Sequence, residues 1–169
     1  SAAVELKERV HKISPKTTRV LSTTFHGFAR SIVTNYSSEK DFSQFTGYHQ
    51  IPTLLKHDVK IDLLSDVIEK SERKLLGRSL AHISDLLTKY SVHKEKYDTC
   101  SSEYKHTLHR VYKRFEQLKK ENGFWEFSDM MLLALHLLNN HPTVEKKWGN
   151  RFAHIIVDEF QDTNPVQIQ

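Results

Sequence analysis

The chain has 169 residues, 38% of them hydrophobic, which suffices for the core of one or two small domains. Its formal charge of +4 suits a polyanionic partner without demanding one. Cys100 is the only cysteine, so an intramolecular disulfide is excluded, and no apolar run approaches the ~20 residues a membrane-spanning helix needs.

Residues 2–13 read as a helix that stops before Ser14-Pro15. Residues 19–24 (Arg-Val-Leu-Ser-Thr-Thr) read as a strand, followed by a turn at His26-Gly27. Phe28, Ile32 and Tyr36 recur every four residues and predict a helix beginning near Gly27. Ser, Asp, Gly and Pro punctuate residues 37–52, which read as a loop. From about 53 to 122 the pattern is mostly helical. Ile61, Leu64, Ile68 and Leu75 form one apolar face, and Leu80, Ile83 and Leu87 another. Tyr104, Leu108, Val111, Phe115 and Leu118 make the cleanest helical stripe.

Asn122-Gly123 supplies a helix stop, and Ser128 or Asp129 is the expected cap of the helix that follows. Residues 130–138 are apolar nearly all round and are expected to be buried. Trp125 and Phe127 read as anchors of the helical stretch to the core, with a base-stacking platform as the alternative. The basic residues Lys113, Arg114, Lys119 and Lys120 read as a solvated face, with contact to duplex phosphates as the alternative. Pro142 opens a short helix, and residues 153–157 form an apolar strand. His106 and His109 lie one helical turn apart, but no third ligand of matching geometry is evident.

That last strand, Ala153-His154-Ile155-Ile156-Val157, runs straight into Asp158-Glu159. In an α/β protein this puts two carboxylates at the carboxyl edge of a buried parallel strand, where open sheets bind ligands. Triphosphate hydrolysis needs one acid on a metal and a second aimed at the attacking water. Adjacent acids after an apolar run are common by chance. The full string Asp158-Glu159-Phe160-Gln161-Asp162-Thr163-Asn164 is far more specific. It resembles motif II of the superfamily 1 DNA helicases of the UvrD/Rep/PcrA kind.

Two further blocks resemble the same family in the same order. Ser22-Thr23-Thr24-Phe25-His26-Gly27-Phe28-Ala29-Arg30 is similar to its Thr-Phe-His motif. Phe124-Trp125-Glu126-Phe127-Ser128-Asp129 resembles the aromatic-acidic entry to the helix before motif II. The opening Ser1-Ala2-Ala3-Val4-Glu5-Leu6 resembles the tail of an earlier DNA-contacting motif. Residues 38–100 match only in helical character.

The resemblance implies an α/β fold: a partial RecA-like P-loop NTPase domain with parallel strands and a mostly α-helical inserted subdomain. The expected division is 1–37 in the motor domain, 38–122 in the insertion, and 123–169 back in the motor domain. The pattern alone also fits a small helical protein with two short strands.

By the same resemblance the parent activity is ATP-dependent DNA unwinding or translocation, 3′ to 5′, with ATP and Mg²⁺ as cofactors. Asp158 would hold Mg²⁺ and Glu159 would be the general base at the nucleotide, with Gln161 also at the nucleotide, and Gln161 and Asp162 together coupling the site to DNA. Asp162 equally suits the cap of a helix starting near Pro165. Thr24, Phe25 and His26 would contact single-stranded DNA, although Phe25 also reads as core packing. Expected partners are single-stranded DNA, a duplex junction and a second RecA-like domain. The expected location is cytoplasmic in a bacterium or nuclear in a eukaryote, without secretion.

Three departures matter. No Gly-x-x-x-x-Gly-Lys-Ser/Thr occurs, and the only glycine followed by a basic residue is Gly77 before Arg78. The phosphate cradle is therefore missing from these residues, and the chain alone is expected not to hydrolyse ATP. Gly27 stands where the family often has serine, and Glu126 where it usually has aspartate. The competing readings are a non-catalytic DNA- or protein-binding module and a part of an AddA/RecB-like helicase-nuclease.

Overall fold

The computed structural model describes residues 2–13, 20–77 and 79–168. Helix α1 (Ala2–Ile13) stands where the sequence predicts it. Helix α2 (Phe25–Tyr36) starts two residues before Gly27, because Thr24 Oγ1 accepts the Gly27 N–H at 3.1 Å and caps it. The predicted loop holds a short helix, α3 (Phe42–Thr46). It stops at Gly47, whose φ of +74° is a left-handed conformation that favours glycine.

Four helices fill the central stretch: α4 (His57–Val67), α5 (Lys70–Leu76), α6 (Leu80–Val92) and α7 (Ser102–Glu121). Gly123, at φ +66°, then turns the chain into α8 (Phe127–Asn140) and α9 (Pro142–Gly149). A single turn, α10 (Pro165–Ile168), follows the acidic string 158–164.

The sheet found among the described residues is a pair the periodicity does not announce. Strand β1 (Thr53–Leu54) lies parallel to β2 (Phe124–Trp125), with Thr53 opposite Phe124 and Leu54 opposite Trp125. The Thr53 N–H donates to the Gly123 carbonyl at 2.9 Å, and the Leu55 N–H to the Trp125 carbonyl at 2.8 Å. It fastens the two ends of the central helical stretch to each other.

The two strands predicted at 19–24 and 153–157 do not form over the described residues; Arg19 lies outside them. A strand apolar on both faces needs neighbours on both edges. Here Ile155 is 76% exposed and Ile156 94%, with no strand beside them among the described residues. Over the described residues the protein is thus mainly helical with a small parallel sheet of two strands.

Two apolar cores form. Helices α2, α3, α8 and α9 enclose Ile32, Val33, Phe42, Trp125, Leu137 and Trp148. Helices α4–α7 enclose Leu64, Ile83, Leu87, Leu108, Val111 and Phe115. Each fully buried side chain of this kind contributes about 1.5–3 kcal/mol relative to exposure.

Ion pairs join the two cores. Lys119 of α7, predicted on the solvated face, is fully buried and sits 2.7 Å from Asp129 and 2.6 Å from Glu116. The Lys60 ammonium of α4 meets Glu126 at 2.6 Å. Burial alone would lower the Lys119 pKa, but the Asp129, Glu116 and Glu126 carboxylates outweigh it and hold the ammonium charged.

Candidate nucleotide and DNA contact sites

After α9 the chain runs exposed through 153–162. Asp158 Oδ1 accepts the Glu159 N–H at 3.0 Å. Glu159 adopts φ +51° and ψ +43°, the left-handed region that costs a β-carbon-bearing residue about 1–2 kcal/mol. This kink turns Phe160-Gln161-Asp162 into a 3₁₀ turn, closed by the Asp162 N–H on the Glu159 carbonyl at 2.9 Å. The Gln161 side-chain amide donates to Glu159 Oε2.

Helix α10 is capped by Asn164, not by Asp162. Asn164 Oδ1 accepts the Val166 and Gln167 N–H groups at 3.0 and 3.1 Å, and Gln167 Oε1 returns the bond to the Asn164 N–H at 2.9 Å. Val166 packs against the first core and moors the end of the acidic string 158–164 to it.

Asp158 and Glu159 are therefore exposed to solvent rather than set at the edge of a buried strand, with Asp158 Oδ1 and Glu159 Oε2 each already accepting one intrachain hydrogen bond. Among the described residues no three His, Cys, Asp or Glu converge on a metal position. Two hard oxygen donors with open positions still match Mg²⁺, which keeps several waters and takes phosphate oxygens as further ligands.

At the other segment, Thr24 uses an acceptor lone pair on Gly27, which leaves its O–H free to donate outward. Phe25 is half-buried and packs on the first core. The His26 ring meets Phe127 edge-on, with centroids 5.1 Å apart and planes at 65°. Partial burial lowers the His26 pKa, so the imidazole is neutral at pH 7 and carries one N–H donor.

Of the two expected anchors only Trp125 is one, at 1% exposure, whereas Phe127 is 53% exposed. Sequence periodicity could not separate them. Phe127 lies on the same helical stripe as Met130, Met131 and Ala134, which are buried. Only its seat at the first residue of α8, beside the start of α2, leaves its ring open. Glu126, not Ser128 or Asp129, caps α8, and Asp129 completes the capping box from the third position.

With the capped Thr-Phe-His turn, the acidic kink and two cores in place, the class is clear. The chain belongs to the UvrD/REP helicase N-terminal domain family, whose sequence model matches residues 1–169. It is 28% identical over 172 to 174 residues to relatives that include the ATP-dependent DNA helicase PcrA of Staphylococcus aureus (strain Mu50), and covers 98% of the chain against 23% of PcrA. The ATP-dependent DNA helicase Rep of Escherichia coli (strain K12) is 27% identical over 174 residues, covering 99% of the chain and 25% of Rep. The chain thus spans about a quarter of the length of the curated relatives it matches. No solved structure matches it. No helix among the described residues is long and apolar enough to cross a membrane.

Proposed function

We propose that this chain serves an ATP-dependent DNA helicase, to which it contributes the acids of the hydrolysis site and a contact for single-stranded DNA. The observation that carries this reading is the family match over all 169 residues together with the intact string 158–164. The relatives' names supply ATP dependence and DNA as the substrate.

Asp158 would hold Mg²⁺. When bound, the ion neutralises charge on the phosphate oxygens of ATP. Glu159 accepts a proton from the attacking water, and the Gln161 amide that already donates to it orients the carboxylate. Asp162, at the end of the same turn, passes the state of this site onward to DNA-binding elements. Thr24 and His26 donate to phosphate oxygens, Phe25 backs them from the core, and the open Phe127 ring stacks on a base.

The separate core of α4–α7 supports a helical insertion of roughly 38–122 that meets a duplex junction, although Phe42 and Tyr48 pack with the first core. Residues 1–37 and 123–169 belong to the motor domain, which a second RecA-like domain completes. The polarity is 3′ to 5′, as in the family.

DNA-stimulated ATP hydrolysis tests this in a protein that joins the chain to both a Gly-x-x-x-x-Gly-Lys-Ser/Thr loop and a second RecA-like domain. Glu159→Gln should slow turnover by about 10²–10⁴-fold, the usual worth of a general base. The chain by itself should bind single-stranded DNA without turnover. An unchanged rate in Glu159→Gln would favour the non-catalytic DNA-binding module.

A further inference from the structure

Resting on the reading of Thr24 and His26 as DNA contacts, we propose that the buried ion cluster at the start of α8 positions the DNA face. Through Lys60 and Lys119, α4 and α7 hold the turn that presents Phe127 to His26.

The N-cap of α8 is unusual in being shared. Glu126 caps the helix and donates its N–H to Asp129 Oδ2 at 2.6 Å. An ordinary capping box ends there, with its carboxylates in water. Here both carboxylates are also taken by ammonium groups from other helices. Lys60 Nζ lies 2.6 Å from Glu126 Oε1, and Lys119 Nζ lies 3.3 Å from Glu126 Oε2 and 2.7 Å from Asp129 Oδ2. Lys60 in turn donates to Thr88 Oγ1 at 2.7 Å and the Ser84 carbonyl at 3.2 Å, which fixes it to α6. Three helices of the second core thus grip the first turn of α8.

The residue after Glu126 is Phe127, whose ring rests on His26. Apolar packing alone would seat α8 without burying two ammonium groups, and such packing is often the more stabilising choice. Ion pairs add direction. They fix where along α4 and α7 the cap sits, and hence where the Phe127 ring falls over the imidazole. Lys60 and Lys119 are positioning residues that touch no DNA themselves. A displacement of α4 and α7 would slide Phe127 off His26 and open or close the face between them.

The test follows the His26 ring by NMR in the whole chain, its signal assigned by its loss in His26→Ala, alongside fluorescence anisotropy with a labelled oligothymidylate. Phe127→Ala uncovers the imidazole and sets the reference, a titration moved up towards the ordinary histidine value. Lys60→Met should give the same upward movement and several-fold weaker oligothymidylate binding, and Lys60→Arg should restore both. A His26 titration unmoved in folded Lys60→Met overturns the positioning role. If Lys60→Met does not fold, Thr88→Val, which keeps every charge paired, must move His26 in the same direction or the proposal fails. Oligothymidylate binding unchanged in both His26→Ala and Phe127→Ala overturns the DNA reading instead, whatever the titration shows.

Discussion

Lys119 of α7 and Asp129 of α8 face each other at 2.7 Å with the ammonium wholly out of water. Glu116 and Glu126 complete its coordination at 2.6 and 3.3 Å, and Lys60 balances Glu126 from the far side. Three carboxylates thus share two ammonium groups. Burial pushes the Glu116 carboxyl up despite Lys119, whereas Lys119 and Lys60 outweigh burial at Glu126 and hold it down.

Lys119→Met should therefore be among the most damaging single changes, costing about 3–5 kcal/mol by leaving buried carboxylates unpaired. Urea unfolding followed by circular dichroism measures it. Adding Glu116→Gln should recover part of the loss, because one of the stranded charges disappears. A loss no larger than that of an exposed lysine would show that water reaches the cluster.

Glu72 sets an acid limit. Its side chain is 2% exposed; burial would raise its pKa, but the Glu69 N–H and the Arg110 and Arg114 guanidinium groups outweigh burial and hold it below the ordinary 4.5. The unfolded chain then takes up the proton first as pH falls. The stabilisation is complete above the ordinary carboxylate range and is lost as pH drops below about 4.5 through the folded value. Urea midpoints measured at falling pH should show this slope, and Glu72→Gln should flatten it by lowering stability near neutral pH, with the difference from the parent chain shrinking in acid.

Residues 153–157 should behave as an open segment. Hydrogen exchange there should approach the rate of unstructured peptide, while the amides of α7 exchange slowest. Ile156, 94% exposed, should accept Asp with a stability change within about 0.5 kcal/mol and a gain in solubility. Slow exchange at 155–157 would mean that the segment has found a strand partner.

Thr24 has two separable roles. Thr24→Ala should cost about 1 kcal/mol by removing the α2 cap, and Thr24→Ser should retain both stability and oligonucleotide binding. Thr24→Asp keeps a capping oxygen but carries no donor, so it should hold stability while weakening oligothymidylate binding. Equal binding by Asp and Thr at this position would assign Thr24 to the cap alone.

Trp125 and Phe127, two residues apart, should differ sharply. Trp125→Ala empties a fully buried site and should cost about 3–5 kcal/mol. Phe127→Ala removes a half-open ring and should cost about 1 kcal/mol or less, its main effect falling on single-stranded DNA. Thermal melts paired with anisotropy separate the two outcomes.

What the sequence determined by itself is what depends on near neighbours in the chain. The helical stripe through Leu108, Val111 and Phe115, the stop at Gly123, Pro142 opening α9 and the helix following Thr24 are local matters of periodicity, propensity and capping. The order of the motif blocks likewise needs no folding to be read, and it led to the family that matches residues 1–169. The strands expected at 19–24 and 153–157 were not decided locally, since a parallel strand exists only through its partners. The chain's pairing goes instead to β1 and β2, which lie far apart in sequence. Lys119 reads as one cation in a charged run, and only α8 packing across α7 makes it the centre of a buried cluster. Phe127 reads as core, and only the meeting of α8 with the start of α2 leaves its ring open beside His26. Each of those differences comes from contacts between residues distant in sequence, which no pattern along a single element encodes.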